Sequence, residues 1–106
     1  MIKVSIKGDA WKIYVFDHDE YVSKFGEGTS GFTDTKRRQV FFSADDLDLE
    51  LVRHELFHCY ASYLYHDAVE LTQDQIEEIY AEMFSKEGTK MIQKATDIFN
   101  KLRGME

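Results

Sequence analysis

The chain has 106 residues, of which 43% are hydrophobic, and a formal net charge of -7. This length provides apolar surface for one core only, so we expect a single folded domain over residues 1–106 rather than two domains or a disordered chain. The acidic balance repels polyanions, which excludes nucleic acid as an expected partner.

Segments for export or membrane insertion are not predicted. The start of the chain lacks a charged stretch followed by a long apolar run, and no later stretch approaches the length that a membrane-spanning helix needs. Cys59 is the single cysteine and cannot form an internal disulfide, which suits a reducing compartment. We therefore expect a cytoplasmic protein without a membrane partner.

The first half of the chain predicts short strands. Apolar residues alternate with polar ones from Ile2 to Ile6, and after Gly8-Asp9 the segment 11–16 is rich in strand-favouring residues, which predicts a hairpin. A further strand is predicted at residues 39–42, which lead into the helical half. These segments predict a small antiparallel sheet at the N-terminal end.

One short helix interrupts these strands. Asp17 is suited to cap a helix that runs to about Phe25 and ends near Gly26. The glycines that follow predict a loop before the next strand.

The second half predicts three helices. Ser43 is a good N-cap for a helix that runs to about Tyr65, and residues 72–75 form a capping box for the next helix. Gly88 is expected to end that helix, and apolar periodicity from Met91 onward predicts another. The expected fold class is therefore α+β, with a sheet followed by a helical half.

The clearest chemical signal is the segment His54-Glu55-Leu56-Phe57-His58. Residues four apart share one face of a helix, so His54 and His58 can direct imidazole nitrogens at one Zn²⁺. Glu55 lies beside them, where its carboxylate can act as the catalytic base on water and pass the proton to a leaving amine. The apolar flanks predict that this stretch is at least half buried.

A catalytic zinc site needs a third protein ligand and an open position. His66 follows His58 by eight residues, near the predicted helix end. The other candidates lie on the next helix, where an antiparallel return would bring them beside the histidines: Glu77, Glu78 and Glu82.

The segment Glu78-Ile79-Tyr80-Ala81-Glu82-Met83-Phe84 resembles the glutamate helix of the gluzincin metallopeptidases. In that helix a ligand glutamate is followed four residues later by an Asp or Asn that orients a ligand histidine. The twenty-residue step from His58 to Glu78 is similar to theirs. The resemblance implies that Glu78 is the third ligand and that Glu82 orients one histidine, with Glu82 as the alternative ligand. Glu82 is longer than the usual residue at its position.

Over about residues 31 to 86 the chain resembles small phage- and prophage-encoded zinc metallopeptidases related to the ImmA/IrrE-type proteases. The resemblance rests on Gly31-Phe32-Thr33-Asp34, the strand at 39–42, the histidine motif with the preceding Arg53, and the Glu78 segment. It implies a zincin-like fold and a Zn²⁺ cofactor.

In gluzincins the strand ahead of the active-site helix pairs with an extended substrate. By this resemblance, residues 40–44 or the neighbouring strand at 32–36 would line the cleft. A His, Tyr or Arg near the metal usually assists the tetrahedral intermediate, and the candidates here are Tyr65, His66 and Tyr80.

The leading hypothesis is therefore a zinc-dependent peptidase acting on a peptide or protein. The alternative is a catalytically weak, zincin-like binding or regulatory module of phage or prophage origin. Since so small a chain has little material for subsites, we expect either a narrow substrate range or a protein partner that completes the cleft.

Overall fold

The computed structural model describes residues 1–64 and 71–105, and these form a four-stranded sheet and three α-helices. In chain order the elements are β1 (Ile2–Ile6), β2 (Asp9–Phe16), α1 (His18–Phe25), β3 (Gly31–Asp34), β4 (Gln39–Ser43), a 3₁₀ turn (Ala44–Asp46), α2 (Leu49–Ala61) and α3 (Gln73–Arg103). Strands dominate the first half and helices the second, which confirms the α+β prediction.

The predicted hairpin is present as β1 and β2. Ile6 pairs with Asp9 across a two-residue turn, in which Lys7 and Gly8 have φ angles of 54° and 86°. Positive φ at both positions is what a type I′ turn requires, and glycine adopts it without steric cost.

The sheet is mixed rather than antiparallel, so that part of the prediction is wrong. Its strand order is β1-β2-β4-β3, and β2 runs parallel to β4 while the two outer pairs are antiparallel. A parallel pair needs a crossover of about a dozen or more residues. Residues 17–38, which contain α1 and β3, provide that crossover.

The predicted boundaries of α1 are confirmed. The Asp17 carboxylate accepts a hydrogen bond from the backbone N–H of Glu20, and Gly26 follows the helix with a φ of 81°. This helix carries the chain from β2 to β3, which then lies at the edge of the sheet beside β4.

The helix that carries the histidines is shorter than predicted at both ends. Its N-cap is Asp48, whose carboxylate accepts a 2.7 Å bond from the backbone N–H of Leu51. Ser43 instead precedes the 3₁₀ turn and makes no side-chain capping bond there. The helix ends at Ala61, and Tyr65 lies outside the described residues.

The helix α3 begins as predicted, with both hydrogen bonds of the Thr72–Gln75 capping box present. It then continues through Gly88 to Arg103, so the predicted helix end at Gly88 is wrong. A glycine costs a helix interior about 1 kcal/mol relative to alanine. Burial of Met91 and Ala95 in the next turns outweighs a cost of that size.

The core lies between one face of the sheet and the two long helices. It contains Ile6, Trp11, Ile13, Val40 and Phe42 from the sheet, Val52, Leu56, Cys59 and Tyr60 from α2, and Met83, Met91, Ala95, Ile98 and Leu102 from α3. Among the described residues, none of the helices has the length and apolar character needed to span a bilayer.

Candidate metal centre

The helix α2 brings His54, Glu55 and His58 together. Ligand atoms from these three side chains all lie within 4.8 Å of one another. The two imidazole rings meet edge to face, with centroids 5.0 Å apart and an interplanar angle of 79°. This is the geometry that the four-residue spacing of the histidines predicts.

The three side chains differ sharply in exposure. Glu55 is 5% exposed, whereas the His54 side chain is 67% exposed and His58 is also exposed. The expectation of a half-buried motif is therefore correct for the glutamate and wrong for the histidines. Val52, Leu56 and Cys59 occupy the core face of α2, which leaves both imidazoles toward solvent.

The Glu55 carboxylate is held from the sheet side. Its Oε1 accepts a 2.8 Å hydrogen bond from the hydroxyl of Thr33 on β3, and its Oε2 lies 3.7 Å from Nε2 of His54. One oxygen is thus tied to the edge strand and the other faces the histidine. A buried carboxylate needs such a partner, because its desolvation is otherwise costly.

The close approach of β3 to Glu55 depends on a glycine. A Cβ atom added at Gly31 would lie 2.9 Å from Cγ and 3.3 Å from Oε2 of Glu55. Gly31 and Thr33 are two apart on a strand and so face the same side of the sheet. The sequence alone did not predict a contact of either residue with Glu55, and their two-residue spacing is the signal that places both on one face of the strand.

The cluster opens into a cleft between β3, the turn after it, and the helices. This cavity has a volume of about 810 Å³. Its lining includes Trp11, Gly31, Phe32, Thr33, Thr35, Lys36, Arg38, His54, Glu55, His58, Ala61, Ser62, Tyr63 and Tyr80. A second cavity of about 560 Å³ shares Gly31, His54 and Glu55 with it, so Glu55 lies where the two meet.

The structure does not join the predicted acids of α3 to this group. Glu78 is exposed and is not one of the three clustered residues in the described part of the chain. Glu82 accepts a 2.8 Å hydrogen bond from Lys86, which lowers the pKa of its carboxyl, and it lines a different cavity. The roles predicted for both acids stay predictions.

Of the three candidates for oxyanion assistance, Tyr80 lies in the cleft. It lines the larger cavity together with both histidines, and its ring packs against Phe57 with centroids 5.5 Å apart. Tyr65 and His66 lie outside the described residues. The prediction of His66 as a possible metal ligand therefore stays a prediction.

Cys59 is buried, as predicted, on the core side of α2. Burial, with a smaller contribution from the charge of Glu55, raises the pKa of its thiol to about 12. Cys59 belongs to the hydrophobic core and is not one of the three clustered residues in the described part of the chain, so it has a packing role.

Comparison of the chain with protein-family models, curated proteins and solved structures finds no match.

Proposed function

We propose that the chain is a zinc-dependent peptidase in which His54 and His58 hold the metal and Glu55 is the general base. The carrying observation is the convergence of two imidazoles and a buried carboxylate, with ligand atoms within 4.8 Å of one another, in the lining of a cleft. Imidazole nitrogens are ligands that zinc takes at catalytic sites, and a carboxylate beside the metal can serve as general base. Glu78 is proposed as the third ligand, with Glu82 orienting a histidine.

The chain's own residues have distinct tasks in this reaction. Zn²⁺, when bound, acts as a Lewis acid that polarises the scissile carbonyl and lowers the pKa of water. Glu55 accepts a proton from the attacking water and passes it to the leaving amine. The bond from Thr33 keeps one oxygen of Glu55 in place, so the oxygen near His54 is the one available for proton transfer. Tyr80 is the proposed donor to the developing oxyanion.

The edge strand β3 is the proposed binding strand for an extended peptide. Of the two strands considered, β4 pairs with β2 on one side and β3 on the other, so its main chain has no edge to offer. The outer edge of β3 pairs with no described strand and borders the cleft. Main-chain pairing at such an edge binds peptides largely independently of their sequence.

Substitution of Glu55 by Gln tests the general base. We expect zinc content and the circular dichroism spectrum to be retained, while cleavage of an unstructured protein falls by a factor of about 10² or more. Glu27→Gln is the matched control, because Glu27 is exposed and lines neither of the two cavities that meet at Glu55.

Retained cleavage in Glu55→Gln would contradict the proposed base. Purified wild-type protein that binds no zinc would contradict the metal centre. A wild-type protein that binds zinc and cleaves nothing would favour the binding or regulatory module instead.

The third ligand is tested separately by zinc affinity. We expect Glu78→Gln to weaken zinc binding far more than Glu77→Gln, since only Glu78 has the proposed ligand role. Equal effects of the two substitutions on the dissociation constant would contradict the assignment. Glu82→Gln tests the alternative ligand in the same titration.

A further inference from the structure

The turn between β3 and β4 makes one end of the cleft basic in an otherwise acidic chain. Lys36, Arg37 and Arg38 occupy this turn, while the whole chain has a formal net charge of -7. The side chains of Lys36 and Arg38 line the same cavity as His54 and Glu55. Positive charge is therefore placed beside the proposed catalytic group.

The three cations of the turn differ in whether their charge is already paired. Arg38 lies 3.4 Å from the Asp9 carboxylate, and Arg37 lies 4.0 Å from the carboxylate of Asp34, the last residue of β3. Lys36 forms no ion pair with any residue that the structure describes, and it is exposed. Within residues 1–64 and 71–105, Lys36 thus combines a position in the cleft with a charge that no carboxylate pairs.

The opposite end of the cleft has the opposite sign. The second cavity, which meets the first at Gly31 and Glu55, is bordered by Asp46, Asp48 and Glu50. A carboxylate on a bound peptide would be repelled at this acidic end and attracted at the Lys36 end. Such complementarity mainly determines specificity and orientation.

We infer that Lys36 is a specificity-determining residue that selects peptides with a carboxylate at the turn end of β3. The carboxylate is that of an Asp or Glu side chain or of the peptide's own C-terminus. This inference rests on the proposed function, because it takes the peptide to lie along β3 beside Glu55. Strand geometry of about 3.3 Å per residue sets the carboxylate roughly two or three residues from the peptide bond at Glu55.

Binding of short fluorescent peptides to the zinc-supplemented Glu55→Gln variant tests this inference without requiring catalysis. The peptides have both ends capped and differ only in carrying Glu or Gln at about two or three residues from the centre, on either side. A further peptide carries Gln and a free C-terminal carboxylate at that distance. Binding of the same peptides is also measured for two double variants, in which Glu55→Gln is combined either with Lys36→Glu or with Arg37→Glu.

We expect a carboxylate peptide to bind about two- to five-fold more tightly than its Gln counterpart at low salt, which is the upper part of the range for a solvent-exposed ion pair. Lys36→Glu should abolish that preference. Arg37→Glu should keep the preference for a carboxylate. This substitution makes the same change of charge on the same turn, but Arg37 does not line the cavity. If the Glu peptide binds more tightly than the peptide with a free C-terminus, the recognised carboxylate is a side chain. The opposite order identifies the C-terminal carboxylate.

Equal binding of carboxylate and Gln peptides, or binding of neither, would overturn the inference. Equal loss of preference in the Lys36 and Arg37 variants would also overturn it, because the effect would then come from net charge alone. Cleavage of the same peptides by wild-type protein separates the two proposals. Cleavage without a carboxylate preference contradicts the role of Lys36 only, whereas Lys36-dependent binding without cleavage contradicts the peptidase only.

Discussion

Thr33 connects the edge strand to the proposed general base of α2, which lies 22 residues further along the chain. A hydrogen bond to a buried carboxylate is stronger than one between neutral groups, because it also offsets the cost of removing the charge from water. The hydroxyl of Thr33 therefore acts on stability and on the orientation of Glu55 together.

We expect Thr33→Val to lower the free energy of unfolding by about 1–3 kcal/mol, because valine has a similar shape and no donor. As a positioning residue Thr33 should affect kcat more than KM. Urea unfolding and steady-state cleavage measure the two effects. Thr33→Ser should restore both, and Thr35→Val is the control, since Thr35 lines the same cavity and makes no hydrogen bond to Glu55.

Gly31 leads to a steric prediction at the same site. Alanine at this position would place its methyl group 2.9 Å from Cγ of Glu55, so either the strand or the carboxylate must move. We expect Gly31→Ala to destabilise the fold by about 1–3 kcal/mol and to reduce cleavage, measured by urea unfolding and a peptidase assay. Gly104→Ala is the control, because its nearest neighbours would be 3.5 Å away. Equal stability of Gly31→Ala and wild type would contradict the close packing of Gly31 against Glu55.

At the scale of elements, the long helix α3 shows how packing overrides a local helix-breaking signal. Gly88 is buried within the helix, and the ring of Phe84 lies over the space where a side chain would begin. Phe84 itself is 52% exposed. Its ring can therefore rotate outward if a methyl group is added below it.

We expect Gly88→Ala to raise the free energy of unfolding by about 0.5–1 kcal/mol, since alanine is the better helix former. The added Cβ would lie 3.1 Å from the nearest Phe84 carbon, so part of the gain is used to move that ring. Thermal unfolding of the variant alone and together with Phe84→Ala separates the two contributions. If Gly88→Ala lowered the free energy of unfolding both in wild type and in Phe84→Ala, the Phe84 ring would not be the cause of the destabilisation.

At the scale of the whole molecule, a hydrogen-bond network connects the β1–β2 hairpin to the segment after α2. The indole N–H of Trp11 donates to the Tyr63 hydroxyl over 2.9 Å, and that hydroxyl also lies 2.9 Å from Oδ2 of Asp9 and 3.1 Å from the carbonyl oxygen of Ile6. Arg38 lies 3.4 Å from the same Asp9 oxygen. The network thus links β1, β2, the basic turn and the end of the helix that carries the histidines.

We expect Tyr63→Phe to lower the free energy of unfolding by about 1–2 kcal/mol, because the buried Trp11 N–H loses its acceptor. Burial raises the pKa of the Tyr63 phenol, and the hydrogen bond to Asp9 adds to this effect. Because the folded-state pKa is the higher one, the linked stabilisation is complete below about pH 10 and is lost as the pH rises through the folded-state pKa.

Urea unfolding of wild type and Tyr63→Phe at neutral and alkaline pH measures this linkage. The stability advantage of wild type should shrink as the pH passes above about 10. Tyr14→Phe is the control, since Tyr14 contacts Phe16 and Phe41 by ring stacking. An advantage that is constant with pH would contradict the pKa shift of Tyr63.

The sequence by itself determined the features that depend on neighbours a few residues apart. The hairpin turn, the caps of α1 and α3 and the shared face of His54 and His58 all follow from spacings of two to four residues. Such short-range geometry is set by backbone sterics and local hydrogen bonds, which the order of residue types encodes directly.

Only the tertiary structure decided which distant segments meet. The parallel pairing of β2 with β4 makes β3 the edge strand. This arrangement places Gly31 and Thr33 against Glu55. It also places Lys36 in the lining of the cleft. Tertiary packing also allows α3 to continue past Gly88, where the local sequence predicted the end of the helix. These outcomes depend on the balance of burial over the whole core, because contacts between residues far apart in the chain are selected by the free energy of the assembled fold.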